Sequence, residues 1–246
     1  MGAILPPCTT TGTTTTMIPQ RNARRPARPP GRRRPALRRL AAAASLLLAV
    51  AAAPAADLAR AVDRLIVQGY EDPQGAQAGL RALQAASPAT PDNTRALLLG
   101  FGLVAADNYL PVDSAAAARA LRALAPTAGP LAEADAHLVN ADLEFGGMQE
   151  EHGNVEARAA VAAYSTYCEA RDPALAARCD RFNWFHALMY AAYGAQGERN
   201  TAAAAIYLNT ALEAAVQAGD RRLQTKAIAI LACSPRRTRT PSWPSA

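Results

Sequence analysis

The chain changes character near residue 56, and this boundary decides which part of it can fold. Residues 1–56 hold nine arginines and no carboxylate, whereas residues 57–232 hold fourteen basic and twenty acidic side chains. The formal net charge of +6 is therefore the sum of the charges of a strongly basic leader and an acidic body. The body has an ordinary single-domain length, which is enough to bury a core.

The leader has the layout of a secretory signal peptide. The arginine-rich stretch Arg32–Arg39 precedes the apolar run Leu40–Ala53, and Ala53-Pro54-Ala55 supplies a small-residue cleavage site. The apolar run is shorter than the roughly 20 residues that cross a bilayer. We therefore expect a periplasmic or secreted protein, cleaved near Ala55, with no membrane span in the mature chain. An uncleaved N-terminal anchor and a nucleic-acid-binding arm are the alternatives to this interpretation.

The body carries the periodicity of α-helices. β-Branched and aromatic residues are sparse, alanine dominates, and apolar residues recur at spacings of three and four. Turn and cap signals such as Gly69, Asp72-Pro73 and Asp172-Pro173 divide the body into nine segments of helix length. The predicted helices cover 57–68, 73 onward, 93–108, 113 onward, 131–145, 154–171, 173–194, 198–219 and 221–232.

Short connections between these segments favour stacked antiparallel hairpins. A weak internal alignment matches Gly147-Met148-Gln149 with Gly194-Ala195-Gln196, and Tyr164 with Tyr207. The predicted fold class is therefore all-α, a solenoid of helical hairpins that follows a disordered leader. A single non-repeating helical domain is the alternative.

One passage of the body, Trp184–Asp220, resembles the tetratricopeptide family. That family has an aromatic residue late in its first helix, a small-residue turn, an early alanine in its second helix and a later aromatic-x-x-Ala-Leu step. The residues near these places are Tyr193, Gly197, Ala202, Tyr207 and Ala211-Leu212. The last spacing is one residue longer than in the family, and no proline closes the repeat.

The passage Arg60–Leu83, followed by such hairpins, resembles the periplasmic sensor region of some bacterial membrane-bound diguanylate cyclases. In those proteins, a transmembrane helix and a cyclase domain with a Gly-Gly-Asp-Glu-Phe motif follow the helical region. This chain has neither part. The stretch Phe145–Glu151 echoes the motif superficially, and we interpret it as a loop between helices. The resemblance implies a truncated sensor region of a signalling protein.

These patterns give three regions, and the last of them changes composition abruptly. Residues 1–55 are a low-complexity leader and signal peptide, with Met1 or Met17 as the start. Residues 56–232 are the tetratricopeptide-like domain. Residues 233–246 are rich in arginine, proline and serine, so we expect a disordered tail. A shift of reading frame in the gene is the favoured explanation of this tail, and a natural disordered terminus is the alternative.

Few residues of the body suggest a site. Cys168 and Cys179 flank a turn between antiparallel helices, so they form either a disulfide or two buried thiols. Trp184 and Tyr190 are the candidates for lining a ligand groove, against the alternative that they pack between hairpins. His186 is interpreted as a core histidine with a hydrogen-bond partner.

The sequence therefore predicts a binding module rather than an enzyme. It contains no nucleophile, metal-binding or phosphate-binding motif, so we expect no catalytic, metal-binding or cofactor-binding residue. The expected function is recognition of a protein, a peptide or another ligand, without nucleic acid. A stand-alone periplasmic scaffold is the first alternative, and a small helical enzyme is the second.

Overall fold

The computed structural model describes residues 55–233, and within this range the chain forms ten α-helices and no strand. In chain order the helices are α1 (Ala55–Gly69), α2 (Pro73–Ala86), α3 (Pro91–Asp107), α4 (Pro111–Ala128), α5 (Pro130–Gly146), α6 (Glu150–Cys168), α7 (Pro173–Ala176), α8 (Arg181–Gly197), α9 (Thr201–Gln217) and α10 (Arg221–Cys233). The all-α prediction is confirmed. None of the helices in residues 55–233 combines the length and the apolar character needed to cross a membrane. The predicted signal peptide and tail lie outside the described residues.

Side-chain caps start several of these helices where the sequence places a polar residue. The Asp72 carboxylate accepts a hydrogen bond from the Gly75 amide at 2.9 Å, as the Asp72-Pro73 signal predicts. Asn200 accepts one from the Ala203 amide at 3.1 Å. Each cap satisfies an amide that has no partner inside its helix, which fixes the first turn.

The prediction of one continuous helix over 173–194 is wrong. The chain forms the single turn α7, leaves the helix at residues 177–180, and begins α8 at Arg181. The Asp180 carboxylate accepts a hydrogen bond from the Asn183 amide at 3.1 Å and so starts a new helix there. This cap interrupts the stripe that the sequence suggested between Leu175 and Phe182.

The prediction of a loop over the whole of Phe145–Glu151 is also wrong. Helix α5 continues to Gly146, and α6 begins at Glu150 instead of Asn154. Glu150 and Glu151 lie in the first turn of α6, where negative charge interacts favourably with the helix dipole. The turn itself is therefore only three residues long.

Successive hairpins pack through their first helices. Helix α1 contacts α3, α3 contacts α5, and α5 contacts α8. Each second helix also contacts the first helix of the next hairpin, as α4 contacts α5 and α6 contacts α8. The first helices thus form one continuous layer, whose aliphatic and aromatic side chains form most of the core.

The same turn joins the two helices of three hairpins. Tyr109, Met148 and Arg199 each adopt a left-handed conformation, with φ between 55° and 59°. In each turn the next amide bonds the carbonyl five residues earlier, which is the pattern of a Schellman cap. These bonds are Leu110 N to Ala105 O, Gln149 N to Glu144 O and Asn200 N to Ala195 O, at 2.7–2.9 Å.

This recurrence corrects the internal alignment that the sequence suggested. Gly194-Ala195-Gln196 lies inside α8, so the residue equivalent to Met148 is Arg199. Counted from these turns, the fully buried Tyr164 of α6 corresponds to the buried Ala215 of α9, and not to Tyr207. The bulky side chain of one hairpin is thus replaced by a methyl group in the next, which hides the repeat from the sequence.

Small residues allow the helices to approach closely. A Cβ atom at Gly194 of α8 would lie 1.2 Å from Oδ1 of Asn154 in α6, so any larger residue would displace the Asn154 side chain. The Asn154 amide donates hydrogen bonds to the Gly194 carbonyl at 3.4 Å and to Glu198 Oε1 at 3.1 Å. These contacts fix α8 against α6, and α8 provides one side of the cavity described next.

Candidate functional site

A cavity of about 680 Å³ opens between the N-terminal and C-terminal parts of the described chain. Its walls come from α1, the starts of α3 and α5, the segment that joins α7 to α8, and the starts of α8 and α10. The volume lies within the range of about 300–1,000 Å³ that is typical of ligand sites. The charged residues that line the cavity are Arg60, Asp63, Arg64, Asp92, Arg95, Arg178, Asp180, Arg181, Asp220 and Arg222.

A disulfide holds one wall of this cavity. Cys168 at the end of α6 is bonded to Cys179, with their Cα atoms 4.7 Å apart. The sequence did not decide between a disulfide and two buried thiols, and the structure shows the disulfide. Cys179 lines the cavity together with its neighbour Arg178, whose guanidinium carbon lies 5.3 Å from the centre of the Tyr167 ring. The covalent link and this cation–π contact attach the wall segment to α6.

A buried ion pair lies behind the cavity surface. Arg95 lines the cavity and donates a hydrogen bond from Nη1 to Oδ2 of Asp135 at 2.7 Å. Tyr164 donates its hydroxyl proton to the other carboxylate oxygen, Oδ1. Asp135 has no exposed surface, so burial raises its pKa to about 6, against the lowering effects of Arg95 and of the Tyr164 hydrogen bond. The three groups connect α3, α5 and α6.

Sequence reasoning missed this ion pair, although a signal was present. Asp135 and Asp142 each lie two residues from another carboxylate, Glu133 and Glu144, and residues at that spacing on a helix point in different directions. Both aspartates share their helical stripe with Leu131 and Leu138, at spacings of three and four residues. A carboxylate within an apolar stripe is rarely buried unless it is paired, so the pattern predicts partners from other helices.

Among the titratable groups that line the cavity, Asp63 of α1 has the largest shift in pKa. Burial and the nearby Asp180 carboxylate together raise its pKa to about 8, and Arg64 opposes this rise. A carboxyl group with this pKa is mostly protonated at neutral pH. Asp63 therefore contributes little negative charge to the cavity.

A second polar cluster lies further along the same helices. Tyr190 of α8 donates a hydrogen bond to Asp142 Oδ1 at 2.5 Å and stacks on Phe145 at 5.6 Å between ring centres. Burial raises the pKa of Asp142 to about 6, and the Tyr190 hydrogen bond opposes this effect. Burial and Asp142 together raise the pKa of Asp107 to about 8. This cluster joins α3, α5 and α8 but does not line the cavity.

The two residues predicted to line a groove lie in different environments. Trp184 is 4% exposed and belongs to the core, so it is not accessible to a ligand. Trp184 is the fourth residue of α8, and the hydrophobic core encloses its side chain. Tyr190 is half-buried, but its hydroxyl is engaged with Asp142.

His186 has the environment expected of a core histidine. Its Nδ1 donates a hydrogen bond to the Phe182 carbonyl at 2.8 Å, and its ring lies between Phe182 and Phe185. Burial lowers its pKa to about 4, so the imidazole is neutral at physiological pH.

Comparisons of the chain with protein-family models, with curated proteins and with solved structures find no match. The resemblance to tetratricopeptide repeats and to cyclase sensor regions therefore stays a prediction.

The raised pKa of Asp63 predicts how stability changes with pH. An aspartate in an unfolded chain titrates near pH 3.9, so between about pH 4 and 8 unfolding releases the proton that folded Asp63 retains. Stability should therefore fall as pH rises through this range. In Asp63→Asn, unfolding near pH 6 should release about one proton fewer, so stability should fall less steeply.

Urea unfolding at several pH values between about 4 and 8 measures this slope. Ala59→Ser, a change without a titrating group in the same cavity, is the control and should keep the slope of the parent protein. Equal slopes in Asp63→Asn and the parent would show that Asp63 titrates normally.

Proposed function

We propose that this chain is an exported, all-α recognition module that acts as the sensor region of a larger signalling protein. The observation that carries this proposal is the cavity of about 680 Å³, whose walls come from the first and last described helices and from the hairpins between them. A ligand in this cavity would contact α1, α3, α8 and α10 at once.

The location of the cavity suggests how recognition would be transmitted. Its walls belong to different hairpins, so a ligand that prefers one arrangement of these hairpins favours that arrangement. The last hairpin is the part of the sensor that would pass this preference to a following segment. The resemblance of Arg60–Leu83 and Trp184–Asp220 to sensor regions and tetratricopeptide repeats supports the same proposal.

The residues around the cavity favour recognition over catalysis. Arginine provides six of the ten charged side chains of the lining, and arginine holds anions but does not exchange protons near neutral pH. Asp63, whose pKa is raised to about 8, is the lining carboxyl group most suited to proton transfer, and none of the histidines among the described residues lines the cavity beside it. His186, the histidine of α8, is committed to the Phe182 carbonyl.

Blocking the cavity tests the proposal. Thermal-shift measurements with a panel of neutral, cationic and anionic metabolites and peptides should identify ligands that raise the Tm of the protein. Ala177→Trp places an indole at the cavity wall and should remove these shifts. Ala116→Trp, an exposed position on α4 away from the cavity, should retain them. Shifts that persist in Ala177→Trp, or a panel without any stabilising ligand, would contradict the proposed site.

A reporter fusion tests the proposed export. Residues 1–60 fused to alkaline phosphatase, which is active only after export, should give active enzyme in a bacterial host. Leu47→Arg places a charge in the middle of the apolar run and should abolish the activity. Thr14→Arg, the same change outside the run, is the control and should preserve it. An inactive parent fusion would show that the leader does not direct export.

A further inference from the structure

The charges of the cavity oppose those of the body around it. Residues 57–232 carry fourteen basic and twenty acidic side chains, yet six of these basic residues and only four of the acidic ones line the cavity. The arginines come from α1, α3, the segment between α7 and α8, and the starts of α8 and α10. The fold therefore gathers cations from distant parts of an acidic chain around one space.

Four of these guanidinium groups have no carboxylate partner within ion-pair distance among the described residues: Arg64, Arg178, Arg181 and Arg222. Arg60 and Arg95 differ, since they pair with Asp57 at 2.5 Å and with Asp135 at 2.7 Å. The contacts of the four do not neutralise their charge. Arg181 donates from Nε to the neutral Gln217 at 3.1 Å, and Arg178 lies over the Tyr167 ring.

Two carboxylates of the cavity cap the starts of helices. Asp180 accepts hydrogen bonds from the backbone amide of Asn183 at 3.1 Å and from its side-chain amide at 2.7 Å, at the start of α8. Asp220 accepts them from the backbone amides of Arg222 and Leu223 at 2.8 and 3.2 Å, at the start of α10. These bonds use both oxygens of Asp180 and Oδ1 of Asp220.

We propose that the cavity binds a small organic anion that carries carboxylate or phosphate groups, with Arg64 and Arg222 as two of its ligating residues. This inference rests on the proposed function and specifies its ligand class. Arginine suits the role because its planar guanidinium donates two parallel hydrogen bonds to a carboxylate or a phosphate. The cavity also has apolar walls, including Val67, Leu131 and Leu223, which would contact the carbon skeleton of such an anion.

Titration calorimetry with two probes tests the proposal and distinguishes a carboxylate ligand from a phosphate ligand. Citrate supplies carboxylates and pyrophosphate supplies phosphates, and all titrations use the same ionic strength, because screening weakens any charged contact. At least one probe should bind the parent protein. Arg64→Gln/Arg222→Gln should weaken this binding by about tenfold or more, since it removes two charge-assisted contacts.

The chain offers a matched control. Arg119→Gln/Arg221→Gln removes the same net charge from exposed positions outside the cavity, and Arg221 is the direct neighbour of Arg222. This variant should bind the probe within about twofold of the parent, because a uniform loss of surface charge is screened at moderate ionic strength. All four arginines are exposed, so circular dichroism should show that both variants retain their helices.

Three results would overturn the inference: neither anion binds, both double variants lose the same affinity, or Arg64→Gln/Arg222→Gln binds like the parent. Failure of this inference can be distinguished from failure of the proposed function. If a neutral ligand binds and Ala177→Trp blocks it while both anions fail, the cavity is a recognition site of another ligand class. If an anion binds equally well to Ala177→Trp, the binding site lies outside the cavity.

Discussion

The buried carboxylate of Asp135 is the constraint on which the rest of the structure depends. Removing a carboxylate from water costs several kcal/mol, and Asp135 has no exposed surface. Arg95 and Tyr164 offset this cost with hydrogen bonds from α3 and α6. Because the three groups belong to three helices of successive hairpins, the bonds form together in one relative arrangement of α3, α5 and α6. That arrangement places Arg95 and Leu131 in the cavity wall.

The roles of the carboxylates explain why the cavity is rich in arginines that lack a carboxylate partner among the described residues. Three carboxylates near it serve the fold: Asp135 pairs with Arg95, while Asp180 and Asp220 cap the starts of helices. Asp63, whose pKa is raised to about 8, retains its proton at neutral pH. The remaining guanidinium groups are left for a ligand. The disulfide of Cys179 fixes the wall segment that carries Arg178 and leads into Arg181 at the start of α8.

The sequence predicted the helical class and most helix ends, because caps such as Asp72 are local signals. It could not predict the break before α8, since the stripe through Leu175 and Phe182 is equally compatible with one helix. The cavity was beyond sequence reasoning, because its arginines are scattered along the chain and meet only through tertiary packing. Trp184 was a candidate either for lining a groove or for packing between hairpins, and helix packing buries it. The stripe that contains Asp135 was the signal that could have revealed the ion pair.

A double-mutant cycle on Arg95 and Asp135 tests the central claim most directly. Asp135→Asn keeps an acceptor for Tyr164 and removes the charge, while Arg95→Met removes the cation and leaves a buried carboxylate. The free energy of unfolding would be measured by urea at about pH 7.5, where Asp135 is ionised. We predict that Arg95→Met alone costs about 3–5 kcal/mol, and that Asp135→Asn in the same chain restores more than about 1 kcal/mol. Effects that add within about 0.5 kcal/mol would contradict the account, because they would show that the two residues do not depend on each other.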